Sequence, residues 1–264
     1  MPEMNDPYRP GTPCWIDLMV PDQQAAIDFY CDLFGWQGEV GPPEQGGYSV
    51  CTLKGKPVAG IMKAMNPDGS VPDPMPPTAW TTYLSTDAID ATLQSVTEAG
   101  GTVVVPPMDV MDLGRMAVIA DPAGAVFGLW QPGTFGGAAI VNEHGALVWS
   151  ELTTPDPDAA SAFYSAALPV TATPSEMEGA DGYVEFQVDG RAVGGMMDMS
   201  KLPPNVTPHW QPYFAVDSVD DIQAAAVRAG ATVLAPAFDM VAGRMAVLAD
   251  PQGGAFSVIA PNAS

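Results

Sequence analysis

The chain has 264 residues, 47% of them hydrophobic, and its nine basic against 31 acidic residues give a formal net charge of −22. That length holds two ordinary domains with cores of their own, while the charge disfavours nucleic acid and anionic membrane surfaces as partners. No apolar run approaches the roughly 18–20 residues of a membrane span, and MPEMNDPYRP lacks the features of a secretory signal, so a soluble cytoplasmic protein is expected.

Four segments open on tryptophan and reach an Asp seven residues later: WIDLMVPD (15–22), WTTYLSTD (80–87), WSELTTPD (149–156) and WQPYFAVD (210–217). The first reads as a strand leading into a helix, with Asp22 as N-cap and Ala26, Phe29, Tyr30, Leu33 and Phe34 at helical spacing before Gly35. Strands YSVCTLKG and KPVAGIMKA follow, then a Pro-rich loop over 66–78. The second unit places Ile89, Leu93 and Val96 on a helix ahead of Gly100-Gly101, then strands GTVVVPP, RMAVIAD and AVFGLWQ. A Gly-rich stretch, TFGGAAIVNEHG, links it to the third unit, whose helix carries Ala160, Phe163, Tyr164, Ala167 and Leu168. The loop KLPPNVTP (201–208) precedes the fourth, with Val219, Ile222 and Ala226 before Gly230. Each unit reads β-α-β-β-β, and the halves repeat one another: GRMAVIADPAGAVFGLWQP (114–132) matches GRMAVLADPQGGAFSVIAP (243–261). The domains are expected at 1–135 and 146–264. The three cysteines, Cys14, Cys31 and Cys51, show no CxxC spacing and read as reduced structural thiols.

The paired openings (Asp17 to Tyr30, Glu151 to Tyr164) and DPxGxxF closings (Asp121 to Phe127, Asp250 to Phe256) resemble the vicinal-oxygen-chelate superfamily of glyoxalase I, bleomycin-resistance proteins and extradiol dioxygenases. The resemblance implies an α+β fold of four βαβββ modules. These form two glyoxalase-like domains, each a curved eight-stranded sheet whose concave face is a ligand cup. Which modules share a cup is left open.

Alternation in WIDLMV puts Ile16, Leu18 and Val20 on one face and Trp15, Asp17 and Met19 on the other, toward the cup. Trp149, Glu151 and Thr153 follow the same pattern. Trp80 and Trp210 are assigned to the cup through the repeat alone, because alternation there is weaker. Relatives often carry a metal-binding side chain at the Trp position and a Glu late in the closing strand. An indole offers an N–H and no lone pair, and Gly128 and Ser257 stand in the Glu position. The two histidines, His144 and His209, lie elsewhere. No metal and no cofactor are therefore expected, nor glyoxalase I or extradiol dioxygenase activity.

The expected ligand is a planar aromatic molecule, stacked by Trp15, Trp80, Trp149 and Trp210 against methionines such as Met19. Tyr48, Tyr183, Arg115, Arg244 and His209 are further candidate ligand-binding residues. The first reading is a sequestering protein of the resistance type. The alternative is a metal-independent tailoring enzyme (isomerase, lyase or hydroxylase) of aromatic natural-product biosynthesis, with desolvated Asp17 or Glu151 as acid or base. A third possibility is an interaction protein with a vestigial cup. If one cup alone is functional, the cup of Trp15 and Asp17 is favoured, since its rim loop PPMDVMDLG is one residue longer and carries Asp112. The assembly is expected to be a monomer, pseudo-dimeric by duplication, or a homodimer.

Overall fold

The computed structural model describes residues 7–43, 46–66, 68–204 and 206–262. The first module contains β1 (Pro13–Val20), α1 (Gln23–Phe34), β2 (Ser49–Leu53) and β3 (Lys56–Lys63). The second contains β4 (Ala79–Ser85), α2 (Ile89–Glu98), β5 (Thr102–Val110), β6 (Gly114–Ala120) and β7 (Val126–Pro132). In the third are β8 (Leu147–Thr154), α3 (Pro157–Ala167), β9 (Thr171–Pro174), β10 (Val184–Val188) and β11 (Arg191–Asp198). The fourth has β12 (His209–Ala215), α4 (Val219–Arg228), β13 (Thr232–Met240), β14 (Gly243–Ala249) and β15 (Ala255–Pro261).

Local chemistry sets the helix ends. Asp22 accepts from the Ala25 amide and caps α1 as the sequence indicates, and Asp156 caps α3 in the same way by accepting from the Ala159 amide. Gly35 closes α1 in the left-handed region at φ 71°.

Modules one and two form one open sheet, ordered β2-β3-β1-β4-β7-β6-β5, and modules three and four form the other, β13-β14-β15-β12-β8-β11-β10-β9. This settles which modules share a cup. The second sheet has the expected eight strands. The first has seven, its eighth reduced to a bridge between Gln37 and Thr52.

The helix-covered faces of the two sheets share their cores. Tyr30, Leu33 and Phe34 of α1 pack with Phe214, Val258 and Phe256 of the second half, and Phe163 and Tyr164 of α3 pack with Ile119, Phe127 and Leu129 of the first. Direct contacts between β4 and β12 complete the seam. No helix among the described residues is long and apolar enough to cross a membrane.

Trp80 and Trp210 belong to this seam, and both also border the cavity of the second half. Trp80 pairs in register with Leu18, and Trp210 with Leu152. Directly opposed strand residues share a face, so both indoles point under the helices. Trp80 Nε1 donates to the Tyr30 hydroxyl at 3.2 Å, which donates to Asp250 Oδ2 at 2.9 Å. The mirror relay runs from Trp210 to Tyr164 at 2.9 Å and on to Asp121 Oδ2 at 3.1 Å. Each relay ties a helix of one half to the DPxG turn of the other. The two indoles expected on the cup face thus lie on the helix side of their strands, where their N–H groups are engaged by tyrosine.

Candidate functional site

On the opposite face of each sheet lies a matched quartet built on the tryptophan that opens the first strand of that half. In the second half, Trp149 Nε1 donates to the Tyr183 hydroxyl at 2.8 Å. Tyr183 donates to Glu151 Oε2 at 2.8 Å, and Tyr213 donates to Oε1 at 2.6 Å. In the first half, Trp15 donates to Tyr48 at 2.8 Å and Tyr48 to Asp17 Oδ2 at 3.2 Å, with Tyr83 in the position of Tyr213.

Strand register builds these groups. Trp149 sits opposite Tyr213 and Trp15 opposite Tyr83. Glycine makes room for the other tyrosine. A Cβ at Gly195 would collide with the Tyr183 hydroxyl, and one at Gly60 with that of Tyr48. Gly128, in the family's Glu position, is covered by the Tyr83 ring in the same way.

Burial pushes the Asp17 carboxyl up to about 7, against the opposing influence of the Tyr83 and Tyr48 hydroxyls. Burial likewise raises Glu151, against Tyr213 and Tyr183. Beside Glu151, Gln211 Nε2 donates to Ser257 Oγ at 2.6 Å. His209 Nε2 lies 3.1 Å from Gln211 Oε1, and its Nδ1 lies 2.8 Å from the Thr207 carbonyl.

The donor set does not fit a divalent cation. The indole at each floor is a donor only, both Glu151 oxygens are taken by tyrosine hydroxyls, and Tyr83 occupies the space above Gly128. Among the described residues no group of three or more His, Cys, Asp or Glu could hold a metal ion.

The cups differ in accessibility. The second encloses about 1360 Å³, with Trp149, Tyr213, Met197, Met245, Leu234 and Phe238 among its walls, and Glu151, Tyr183, Gln211 and His209 as its polar groups. The first is filled by the chain. Phe135 meets Trp15 edge-to-face at 4.9 Å and Trp130 at 6.0 Å, and Leu113, Met116 and Tyr8 pack around them. Trp15 is 5% exposed whereas Trp149 is only half-buried. The open cup is thus the second and not the Trp15 cup that the rim loop favoured; Asp112 and Leu113 of that loop accept hydrogen bonds from the Gly133, Thr134 and Phe135 amides. Met19 lies on the cup face of β1, half-buried, in register with Met62.

Arg115 and Arg244 do not reach either cup. Arg115 binds Asp90 at 2.7 Å and Asp109 at 3.2 Å, and Arg244 binds Asp220 at 2.8 Å and Asp239 at 3.0 Å. Each guanidinium sits at the first turn of the neighbouring helix and holds its Asp90 or Asp220 carboxyl below the usual range. These pairs engage both arginines at the surface. Tyr83, Tyr213, Gln211 and Ser257 were missed from sequence. A tyrosine three residues after the Trp of modules two and four was the available signal for the first two.

Comparison with known proteins follows the same division. The model of the Glyoxalase/Bleomycin resistance protein/Dioxygenase superfamily matches residues 14–129, and a glyoxalase-like domain model matches 149–259. CFP32 of Mycobacterium tuberculosis, provisionally named a glyoxylase, is 45% identical over 99% of this chain and 98% of its own. The anthracycline biosynthesis protein DnrV of Streptomyces peucetius is 38% identical over 96% of this chain and 94% of its own. A solved Mn(II)-bound glyoxalase from Novosphingobium aromaticivorans shares the fold with a TM-score of 0.64 at 16% identity, covering 96% of this chain and 82% of that one.

Proposed function

Because the chain belongs to the glyoxalase/bleomycin resistance protein/dioxygenase superfamily, we propose that its C-terminal cup binds a large planar aromatic molecule without a metal ion. The observation that carries this reading is the open cavity of about 1360 Å³ walled by Trp149 and Tyr213. Ligand pockets commonly span about 300–1,000 Å³ and combine apolar walls with a few placed polar groups, so this one suits a fused polycycle rather than a single ring. A stacked or edge-on indole adds roughly 0.5–1.5 kcal/mol per aromatic pair beyond burial. Met197 and Met245 supply adaptable walls. The kinship with DnrV and with the anthracycline biosynthesis protein DauV of Streptomyces sp. supports a ligand of that chemistry, since an anthracycline carries a fused planar ring system. Sequestration is the primary role proposed, in a soluble cytoplasmic setting.

A second reading, metal-independent proton transfer, is favoured by the raised carboxyl of Glu151 at the cup floor. Its tyrosine partners would hold the carboxylate in place while it exchanged a proton with a phenol or enol on the ligand.

Titration with a panel of anthraquinones tests both. Saturable quenching of tryptophan fluorescence is expected, weakened at least tenfold in affinity by Trp149→Ala and left intact by Trp15→Phe. Mass spectrometry of recovered ligand separates the roles: an unchanged compound supports sequestration, and a product that vanishes in Glu151→Gln supports catalysis. Absence of saturable quenching across the panel would sink the reading.

A further inference from the structure

Two of the three cysteines converge where α1 ends. Gly35 closes the helix, and Gln37 then pairs with Thr52 through amide–carbonyl bonds of 2.8 and 2.7 Å. Residues beside such an antiparallel pair also face one another, so Gly38 comes to lie across from Cys51. A Cβ on Gly38 would stand 3.0 Å from the Cys51 sulfur and 3.4 Å from Ile27 Cγ2. Ile27 and Cys31 are one helical turn apart and share a face of α1. The Gly38 N–H is directed at the Cys31 sulfur, and a charge on that sulfur is felt at Cys51. A residue with no side chain is thus what stands between the two thiols. Their access to solvent differs: Cys51 is fully buried and Cys31 half-buried. Cys14 belongs to the separate cluster around Trp15, where its thiol donates to the Tyr83 carbonyl at 3.4 Å.

We propose that Cys31 and Cys51 form a modification site at which a small peroxide such as hydrogen peroxide makes an intrachain disulfide. The Cys31 sulfur, the one within reach of solvent, attacks a peroxide oxygen as thiolate. The O–O bond breaks, and the departing oxygen picks up a proton to leave as water. The Cys51 thiolate then attacks the sulfenic sulfur of Cys31, the S–O bond breaks, and a second water leaves. Two thiols lose two electrons and two protons, and one peroxide gives two waters. The disulfide would fasten the last turn of α1, whose Phe34 packs on Phe214 of the second half, to the edge strand β2. Burial, with the Asp28 and Asp32 carboxylates, holds the Cys31 thiol above its ordinary range, and burial pushes Cys51 up to about 12. Because thiolates are the reacting species, the bond forms slowly near neutrality and should form about tenfold faster per pH unit.

This inference goes beyond the C-terminal cup and involves none of its residues. The full chain is treated with hydrogen peroxide at pH 7 and pH 8, alkylated and cleaved at acidic residues such as Asp32 and Glu39. Mass spectrometry without reduction then reads the products. The expected product is a Cys31 peptide joined to a Cys51 peptide, two hydrogens lighter than their sum, from protein with the mass of one chain. It should form about tenfold faster at pH 8, revert with dithiothreitol, persist in Cys14→Ser and vanish in Cys31→Ser. A Cys31 sulfinic acid beside a free Cys51 thiol, a link between two chains, or no loss of thiols overturns the proposal. The wild-type chain decides the matter by itself, so the test stands even where a variant fails to fold.

Discussion

Asp17 and Glu151 occupy equivalent positions and differ by one methylene, and that difference decides how each is satisfied. Glu151 receives two tyrosine hydroxyls, at 2.8 and 2.6 Å, whereas Asp17 keeps one bond at 3.2 Å and an unpaired oxygen. The Asp17 carboxyl, raised from an ordinary 3.8 to about 7, binds a proton more tightly in the folded chain than in the unfolded one. Stability therefore falls as pH rises from about 4 to about 7 and is flat outside that window, a loss on the order of 3–4 kcal/mol from this group. Asp17→Asn should flatten that part of the slope in urea titrations compared between pH 5 and 8. An identical slope in both proteins would contradict the assignment. Glycine at 195 is as decisive as the carboxylates. Gly195→Ala drives a methyl into the Tyr183 hydroxyl and should shift Tyr183 off Glu151, weakening anthraquinone binding about tenfold and lowering the melting temperature by several degrees. Fluorescence titration beside a thermal melt checks both halves of that expectation.

Among the elements, β4 and β12 show where a repeat misleads. Trp15 and Trp149 lie on the first strand of each half, where alternation is clean, with Ile16, Leu18 and Val20 forming an apolar row. In β4 both rows mix polar and apolar residues, while in β12 the row of Trp210, Pro212 and Phe214 is apolar; the pairing of Trp80 with Leu18 and Trp210 with Leu152 fixes their faces. The half-to-half repeat is faithful; the quarter-to-quarter repeat is not. The relays these tryptophans start give a second prediction. Tyr164→Phe leaves the Trp210 N–H and Asp121 Oδ2 without their shared hydroxyl. Two buried orphans at about 1–3 kcal/mol each should lower the unfolding free energy by roughly 2–6 kcal/mol. Guanidinium unfolding measures it, and a loss below about 0.5 kcal/mol would show that the relay is not what holds α3 to the first sheet.

At the scale of the molecule, the helices that close each sheet are partly lent to the other. Phe34 of α1 lies 4.8 Å from Phe214 and 6.1 Å from Phe256, ring centre to ring centre, and Phe163 of α3 lies 6.4 Å from Phe127. Neither half buries its apolar helix face alone. The full chain should therefore unfold in one transition, coincident by fluorescence and far-UV circular dichroism. Residues 1–135 expressed alone should not give a folded monomer by light scattering and circular dichroism. Two separated transitions, or a folded monomeric half, would contradict the shared core.

The sequence by itself determined the four-module architecture, the helix caps, the faces of Trp15 and Trp149 and the lack of metal-ligating side chains at the expected positions. All of these rest on local rules: side-chain periodicity, capping chemistry and the donor inventory of each residue. Tertiary structure alone decided that modules one and two share a sheet and that Trp80 and Trp210 lie in the seam. It also decided that Arg115 and Arg244 are spent on surface carboxylates and that Phe135 fills the cup of Trp15. Each of these depends on strand register or on contacts between residues distant in the chain, which no local pattern encodes. The linker TFGGAAIVNEHG shows the limit most plainly, because nothing in its composition marks one phenylalanine as the occupant of a pocket.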